Sequence, residues 1–237
     1  MSSSLPLAII QFETPPEAVI DRVGEQQHWF IAALGLQPGD FIVVRPDLGE
    51  ALPEPSSVAA AVLSGSWAMV TDHAEWSERS AAWVRSAVEQ QLPLLGVCFG
   101  HQLMAYALGG WVDDNPRGWE RGLKQLEMNE CSAGDPLLSQ LPTHFSAWLS
   151  HRQSVLQPPP GAQVLASSAQ DDCQIIRYTP QALSVQFHPE FTGGIMTACL
   201  QNGQSSASLM EHQQEPASPL HLLQAFWRQH RQASRLA

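Results

Sequence analysis

Four short unbroken apolar runs alternate with helix-like segments through the first hundred residues: "LPLAIIQF" at 5–12, "DFIVVRP" at 40–46, "VAAAVLSGS" at 58–66 and "LPLLGVC" at 92–98. A strand that is apolar at every position must be covered on both faces, and strands joined through helices run parallel. The alternation therefore predicts an α/β fold, with a mostly parallel central sheet flanked by helices on both faces. The intervening segments read as one helix in "PPEAVIDRVGEQQHWFIAALGL", a second in "WSERSAAWVRSAVEQQ" with Ser77 as N-cap and Glu78 in its first turn, and a third in "FGHQLMAYALGG" stopped by glycine.

Beyond residue 120 the pattern changes. "GLKQLEMNE", "THFSAWLSHRQSVLQPPPGAQVLASS" and "CQIIRYTPQALSVQFHPEF" carry short alternating runs broken by Pro and Gly, which predicts a small antiparallel extension. The polar stretch 201–218 reads as a surface loop. Ser218-Pro219 then opens a last helix over 219–236, whose arginines gather where the helix dipole favours them. No repeat or linker divides the 237 residues, so one domain over 1–237 is expected, with its core at about 5–195.

The charge balance narrows the partners. A formal net charge of −11 argues against nucleic acid or an anionic membrane surface, since binding phosphate needs positive charge. The single lysine, Lys124, stands in no phosphate-loop context, and no Gly-rich dinucleotide fingerprint occurs. The start has no basic region before its short apolar stretch, and no run approaches membrane-helix length. Cys98, Cys131, Cys173 and Cys199 are widely spaced, without a C-x-x-C pair. A reducing cytoplasm is the expected compartment, and Cys131, Cys173 and Cys199 are expected to be small buried hydrophobes. Structural-zinc spacing is missing, so neither a metal nor another cofactor is expected.

Cys98 is different. It lies between two glycines, in "GVCFG", where a strand must turn sharply into a helix. Such an elbow projects its apex side chain into a cleft, and the helix N-terminus favours a thiolate there. The backbone N–H of Phe99 would face the same space, and Gly65 in "LSGSW" could offer a second N–H to an oxyanion. In "SVQFHPE", His188 ends an apolar run that could neighbour the Cys98 strand. Glu190, two residues on and on the same side of an extended chain, could orient the imidazole. A cysteine nucleophile with a His–Glu pair is thus the candidate catalytic set.

Taken together, "GVCFGHQLMAYALGG", "SVQFHPEF", "LSGS", "NPRGWERG" and "SHRQSV" resemble the class I, triad-type glutamine amidotransferase family, over about residues 5–195 and in the family's motif order. The nearest likeness is to glutaminase domains of the GMP synthase type and their stand-alone homologues. The resemblance implies a flavodoxin-like α/β sheet. It implies that Cys98 attacks the side-chain amide of glutamine to give a γ-glutamyl thioester and ammonia, with His188 as base and acid and Glu190 orienting it. Gly65 and Phe99 would supply oxyanion N–H groups, Gln102 would contact bound glutamine, and Ser150 and His151 would grip the α-amino and carboxylate groups, largely through backbone. His101 reads as a structural neighbour of the elbow.

Two departures matter. The phosphate-binding signature of an ATP-using synthase domain is not found, so ammonia would pass to a separate synthase subunit, or the thioester would serve another end. Gln153 stands where members of the GMP synthase type typically carry an acidic residue. The alternatives are therefore a γ-glutamyl peptidase, with a leaving-group pocket shaped by Trp119, Trp148 and the 201–218 loop, and a non-catalytic regulatory or binding module.

Overall fold

The structure, a computed structural model, describes residues 5–139, 141–201 and 215–233. Strand β1 (Leu7–Ile10) leads into helices α1 (Glu17–Val23) and α2 (Gln26–Leu34), then β2 (Phe41–Val44) and β3 (Ala60–Leu63). Helix α3 (Glu75–Glu89), strand β4 (Leu94–Val97) and helix α4 (Phe99–Ala107) follow. The second half contributes β5 (Trp111–Asp114), β6 (Glu120–Met128), β7 (His144–His151) and β8 (Gln153–Gln157). It closes with β9 (Gln163–Ser168), β10 (Ile175–Thr179), β11 (Ala182–Val185), α5 (Gly193–Gln201) and α6 (Ala217–Ala233).

Nine strands form one sheet in the order β2-β1-β3-β4-β11-β10-β9-β6-β7. The five strands from β2 to β11 pair in parallel, and β10, β9, β6 and β7 continue the sheet antiparallel. A separate antiparallel ribbon joins β5 to β8. The unbroken apolar strands serve both faces by simple alternation. Leu7, Ile9, Ala60, Val62, Leu95 and Val97 join a core with Phe30 of α2 and Leu222, Phe226 and Trp227 of α6. Ala8, Ile10, Ala61, Leu63 and Leu94 pack instead with Val84 of α3 and Leu103 and Met104 of α4.

Several details differ from the sequence reading. The segment 15–36 is two helices, because Gly24 adopts φ 75° and ends the first. Ser77 is not an N-cap: α3 begins two residues earlier, with Ala74 capping, and Ser77 lies on the buried face with Ser80, Ala81, Val84 and Ala87. Glu78 does sit in the first turn. Cys131 is exposed and Cys199 only half-buried, so Cys173 alone of the three fits the buried description. Trp148 is wholly buried and packs with Phe191 and Met196, so it lines no leaving-group pocket. The last helix opens at Ala217. Most of the expected 201–218 loop lies outside the described residues, as does the end of the expected 219–236 helix. No helix among the described residues is long and apolar enough to cross a membrane.

Candidate active site

The turn from β4 into α4 leaves no room for a side chain two residues to either side of Cys98, at Gly96 and Gly100. A methyl group built on Gly96 would come within 2.6 Å of the carbonyl oxygen of Gly100. One on Gly100 would come within 2.5 Å of the carbonyl oxygen of Leu63. Glycine at both positions is what lets the helix press against the sheet. Cys98 itself takes φ 51° and ψ −103°, a region that costs an L residue about 1–3 kcal/mol. Three backbone bonds hold it there: Cys98 N–H donates to Val185 O at 2.9 Å, Gly100 N–H to Ser64 O at 3.0 Å, and Gln102 N–H to Cys98 O at 3.1 Å.

Strands β4 and β11 are adjacent and in register at Val97 and Val185, so residues just past their carboxyl ends meet. His188 arrives there from β11. Its Nδ1 lies 2.8 Å from Glu190 Oε1, its ring stacks on Phe191 at 3.9 Å, and its backbone N–H donates to Trp148 O at 2.9 Å. The His–Glu contact forms across a turn rather than along an extended strand, because β11 ends at Val185. Imidazole and carboxylate are both buried. Burial by itself lowers the His188 pKa, but the charges of Glu190 and Cys98, with hydrogen bonds to both, outweigh it and raise it to about 10.

The cleft over Cys98 is lined by Gly65, Phe99, Gln102, Ser150, His151 and His188, among others. Every site residue singled out in the sequence therefore gathers in one place, apart from Glu190, which stands behind His188. Gly65 is packed so closely that a methyl on it would lie 3.0 Å from the His188 ring and 3.7 Å from Cys98 Cβ. Phe99 is the first residue of α4, where a helix has no internal acceptor for the N–H. Gln102 Nε2 donates to Gln153 O at 2.6 Å and to Gln186 Oε1 at 3.0 Å. The carbonyl of Ser150 lies 3.8 Å from Cys98 Sγ. His101 does not reach the cleft. It is fully buried with Nδ1 2.7 Å from Ser184 Oγ, and desolvation first, then the charge of His151, drops its pKa to about 3.

His151 behaves differently from a side-chain ligand for substrate. Its ring faces the interior, with Nε2 2.9 Å from Glu120 Oε2 and Nδ1 2.8 Å from Gln153 O. Asp171 Oδ2, buried and without a hydrogen-bond partner among the described residues, lies 4.0 Å from the same Nε2. Glu120, His151 and Asp171 are the described residues grouped closely enough to hold a metal ion, within 4.8 Å of one another. Glu120 is already engaged, however, because Ser168 donates to Oε1 at 2.7 Å and Gln174 to Oε2 at 3.0 Å. Sequence reading misses this trio because its members meet only through the pairing of β6 with β7 and β9.

Three further residues line the cleft, of which only Gln153 stands out in the sequence. Gln153 donates to Thr71 Oγ1 at 2.7 Å and to Asp114 Oδ1 at 3.3 Å, which brings a carboxylate beside the position that lacks one. Cys199 of α5 supplies a second thiol, whose pKa is pushed up to about 12 by desolvation and by the negative charges of Glu190 and Cys98. Arg121 lies on the cleft wall under Trp119, whose ring is half exposed.

These histidines also set a pH dependence of stability. His188 is raised above an unfolded value near 6.5, so the stability it supplies is complete below that pH and lost as pH rises toward 10. His101 and His230 are depressed, to about 3 and about 4, mainly by burial, so the unfolded chain takes up their protons first. Stability then falls as pH drops below about 6.5. Thermal melts across pH 4–9 should peak near neutrality, and His188→Gln should flatten the alkaline side alone. A midpoint that rises steadily to pH 9 would contradict these assignments.

Comparison with known proteins identifies the family. A family model described as glutamine amidotransferase class-I covers residues 19–204. The glutamine-hydrolyzing GMP synthase of Aeropyrum pernix is 33% identical over 183 residues, which is 75% of this chain and 33% of that one. The chain thus spans about a third of that relative's length. A glutamine-hydrolyzing GMP synthase subunit from Saccharolobus solfataricus is 31% identical over 170 residues, covering 70% of this chain and 85% of the relative. Crystal structures of glutamine amidotransferases from Thermotoga maritima (TM-score 0.77, 18% identity, 95% and 98% of the two chains) and Methylobacillus flagellatus (TM-score 0.74, 23% identity, 99% and 95%) share the fold. With a matching family model over most of its length, two relatives above 30% identity and this architecture, the chain belongs to the class I glutamine amidotransferase family.

Proposed function

We propose that the protein cleaves a γ-glutamyl amide through a thioester on Cys98, with glutamine as the default donor, yielding glutamate and ammonia. The observation that carries this reading is the meeting of an elbow cysteine with a buried His188–Glu190 pair at the adjoining ends of β4 and β11. The Cys98 thiolate attacks the γ-carbonyl carbon. The resulting oxyanion accepts hydrogen bonds from the N–H groups of Gly65 and Phe99. His188, as imidazolium, gives its proton to the leaving nitrogen, and the C–N bond breaks to leave the γ-glutamyl thioester. Water then attacks the thioester while His188 takes its proton, the C–S bond breaks, and glutamate departs.

Glu190 holds the ring in place and keeps it charged. Gln102 and the backbone of Ser150 and His151 contact the glutamyl group, a role the inward-turned ring of His151 leaves to its main chain. The likeness to the S. solfataricus protein, itself one subunit of a GMP synthase, supports a separate synthase partner that receives the ammonia.

A second reading, cleavage of γ-glutamyl peptides or amines by the same residues, is favoured by one observation. Trp119 stands half exposed at the cleft, an apolar platform that ammonia does not need. Incubating the purified chain with glutamine and with γ-glutamyl dipeptides, and comparing ammonia with amine release, tests both. Preferential ammonia release supports the first reading, preferential amine release the second, and release of neither from any donor, with a partner synthase supplied, overturns the proposal.

A further inference from the structure

Among the described residues, Arg121 is a cation paired with no acid. Among the described residues its side chain forms no ion pair and no hydrogen bond, and its Nε is buried without a partner. Most other arginines for which contacts are described hold carboxylates: Arg45 with Asp47, Arg79 with Glu75, Arg117 with Asp172, Arg152 with Asp114 and Arg177 with Asp135. Burial lowers its pKa from the ordinary value. Leaving a partly buried guanidinium unpaired is unfavourable unless something else completes it.

Its placement says where that partner would be. Arg121 pairs directly with Ser150 across β6 and β7, so the two residues share a face of the sheet. The carbonyl of Ser150 is the group 3.8 Å from Cys98 Sγ. The guanidinium carbon lies 3.3 Å from the centroid of the Trp119 ring, and Arg121 lines the cleft that also holds Cys98. A planar, always charged fork of this kind matches a carboxylate in two-point contact.

We propose that Arg121 is the carboxylate-binding residue of the cleft, engaging a carboxylate of the γ-glutamyl donor; this rests on the thioester reading of Cys98. The carboxylate has two sources. It is the α-carboxylate of the glutamyl group, present in every donor, or the carboxylate of an amino-acid leaving group, present only in γ-glutamyl peptides. Either way Arg121 contributes binding that is equal in ground and transition state, so KM carries the effect.

The test measures kcat and KM for four donors: glutamine, glutamine with its α-carboxylate blocked as an amide, a γ-glutamyl dipeptide, and that dipeptide with its leaving-group carboxylate amidated. Wild type, Arg121→Met (which keeps the stem under Trp119 without charge) and Arg121→Lys are compared, with melting temperatures as a folding check. Wild type should disfavour one amidated donor by about 10- to 100-fold in kcat/KM, the scale of a charge-assisted contact. Arg121→Met should abolish that preference through KM, and Arg121→Lys should restore part of it. Loss on the α-amide arm assigns the glutamyl carboxylate, and loss on the leaving-group arm alone assigns the peptide carboxylate. A preference that survives Arg121→Met, or a wild type indifferent to both amidations, overturns the assignment while leaving the Cys98 chemistry intact. Absence of any acylated Cys98 in wild type removes the donor chemistry itself and this inference with it.

Discussion

Cys98→Ala and Cys98→Gly should both lose at least about 10⁴-fold in turnover, yet the glycine variant should be the more stable of the two. The loss follows from removing the elbow nucleophile beside His188; the oxyanion N–H groups alone bind but cannot form the thioester. The stability difference has another origin. At φ 51° and ψ −103° a Cβ is strained whether or not it carries sulfur, so alanine keeps the strain and glycine releases it. Glycine also widens the unfolded ensemble, which offsets part of the gain. A net difference of about 1 kcal/mol remains, or roughly 2–4 °C in a chain of this size. Melting curves of the paired variants read this directly. An alanine variant as stable as the glycine one would mean that the elbow is relaxed and not preset for chemistry.

The second large effect belongs to Glu190. Glu190→Gln preserves the size of the side chain and removes its charge, so it should lower kcat by about 10²- to 10⁴-fold. The direction of its pH effect is fixed by the balance at His188. Desolvation pulls that ring toward neutrality, and the Glu190 charge is foremost among the influences opposing it. Without the charge the imidazolium becomes easier to deprotonate, so the alkaline limb of the pH–rate profile should move toward neutral pH. The group behaves as part of a coupled thiol–imidazole pair, and the observed limb belongs to both members. Rates and alkylation of Cys98 by a glutamine-like chloroketone should shift together. A Gln variant with an unmoved alkaline limb would remove Glu190 from the site.

Much of this site is legible without the fold, for reasons tied to particular residues. Glycines at 96 and 100 are forced by backbone atoms lying about 2.5 Å from where a Cβ would sit, and "GVCFG" announces that constraint locally. The His188–Glu190 contact spans two residues and is equally local. What stays hidden is non-local. Arg121 acquires meaning only opposite Ser150, and Glu120 only opposite His151, through a pairing between β6 and β7 that the alternating pattern does not register. Trp148 misleads because β7 is buried on both sides at its centre, where Ala147, Trp148 and Leu149 are all fully covered. Alternation cannot then tell cleft from core. Ser77 misleads because a serine near a helix start has the same composition cue whether it caps the helix or packs inside it.

The most direct measurement is mass spectrometry of the wild-type chain quenched during reaction with glutamine and digested to peptides. One glutamyl group should be found as a thioester on the peptide containing Cys98, and none on the peptide containing Cys199, the other thiol of the same cleft. His188→Ala should not accumulate it. A glutamyl adduct on Cys199, or its undiminished appearance on Cys98 in the His188 variant, would contradict a mechanism in which the imidazole held by Glu190 arms the elbow thiol.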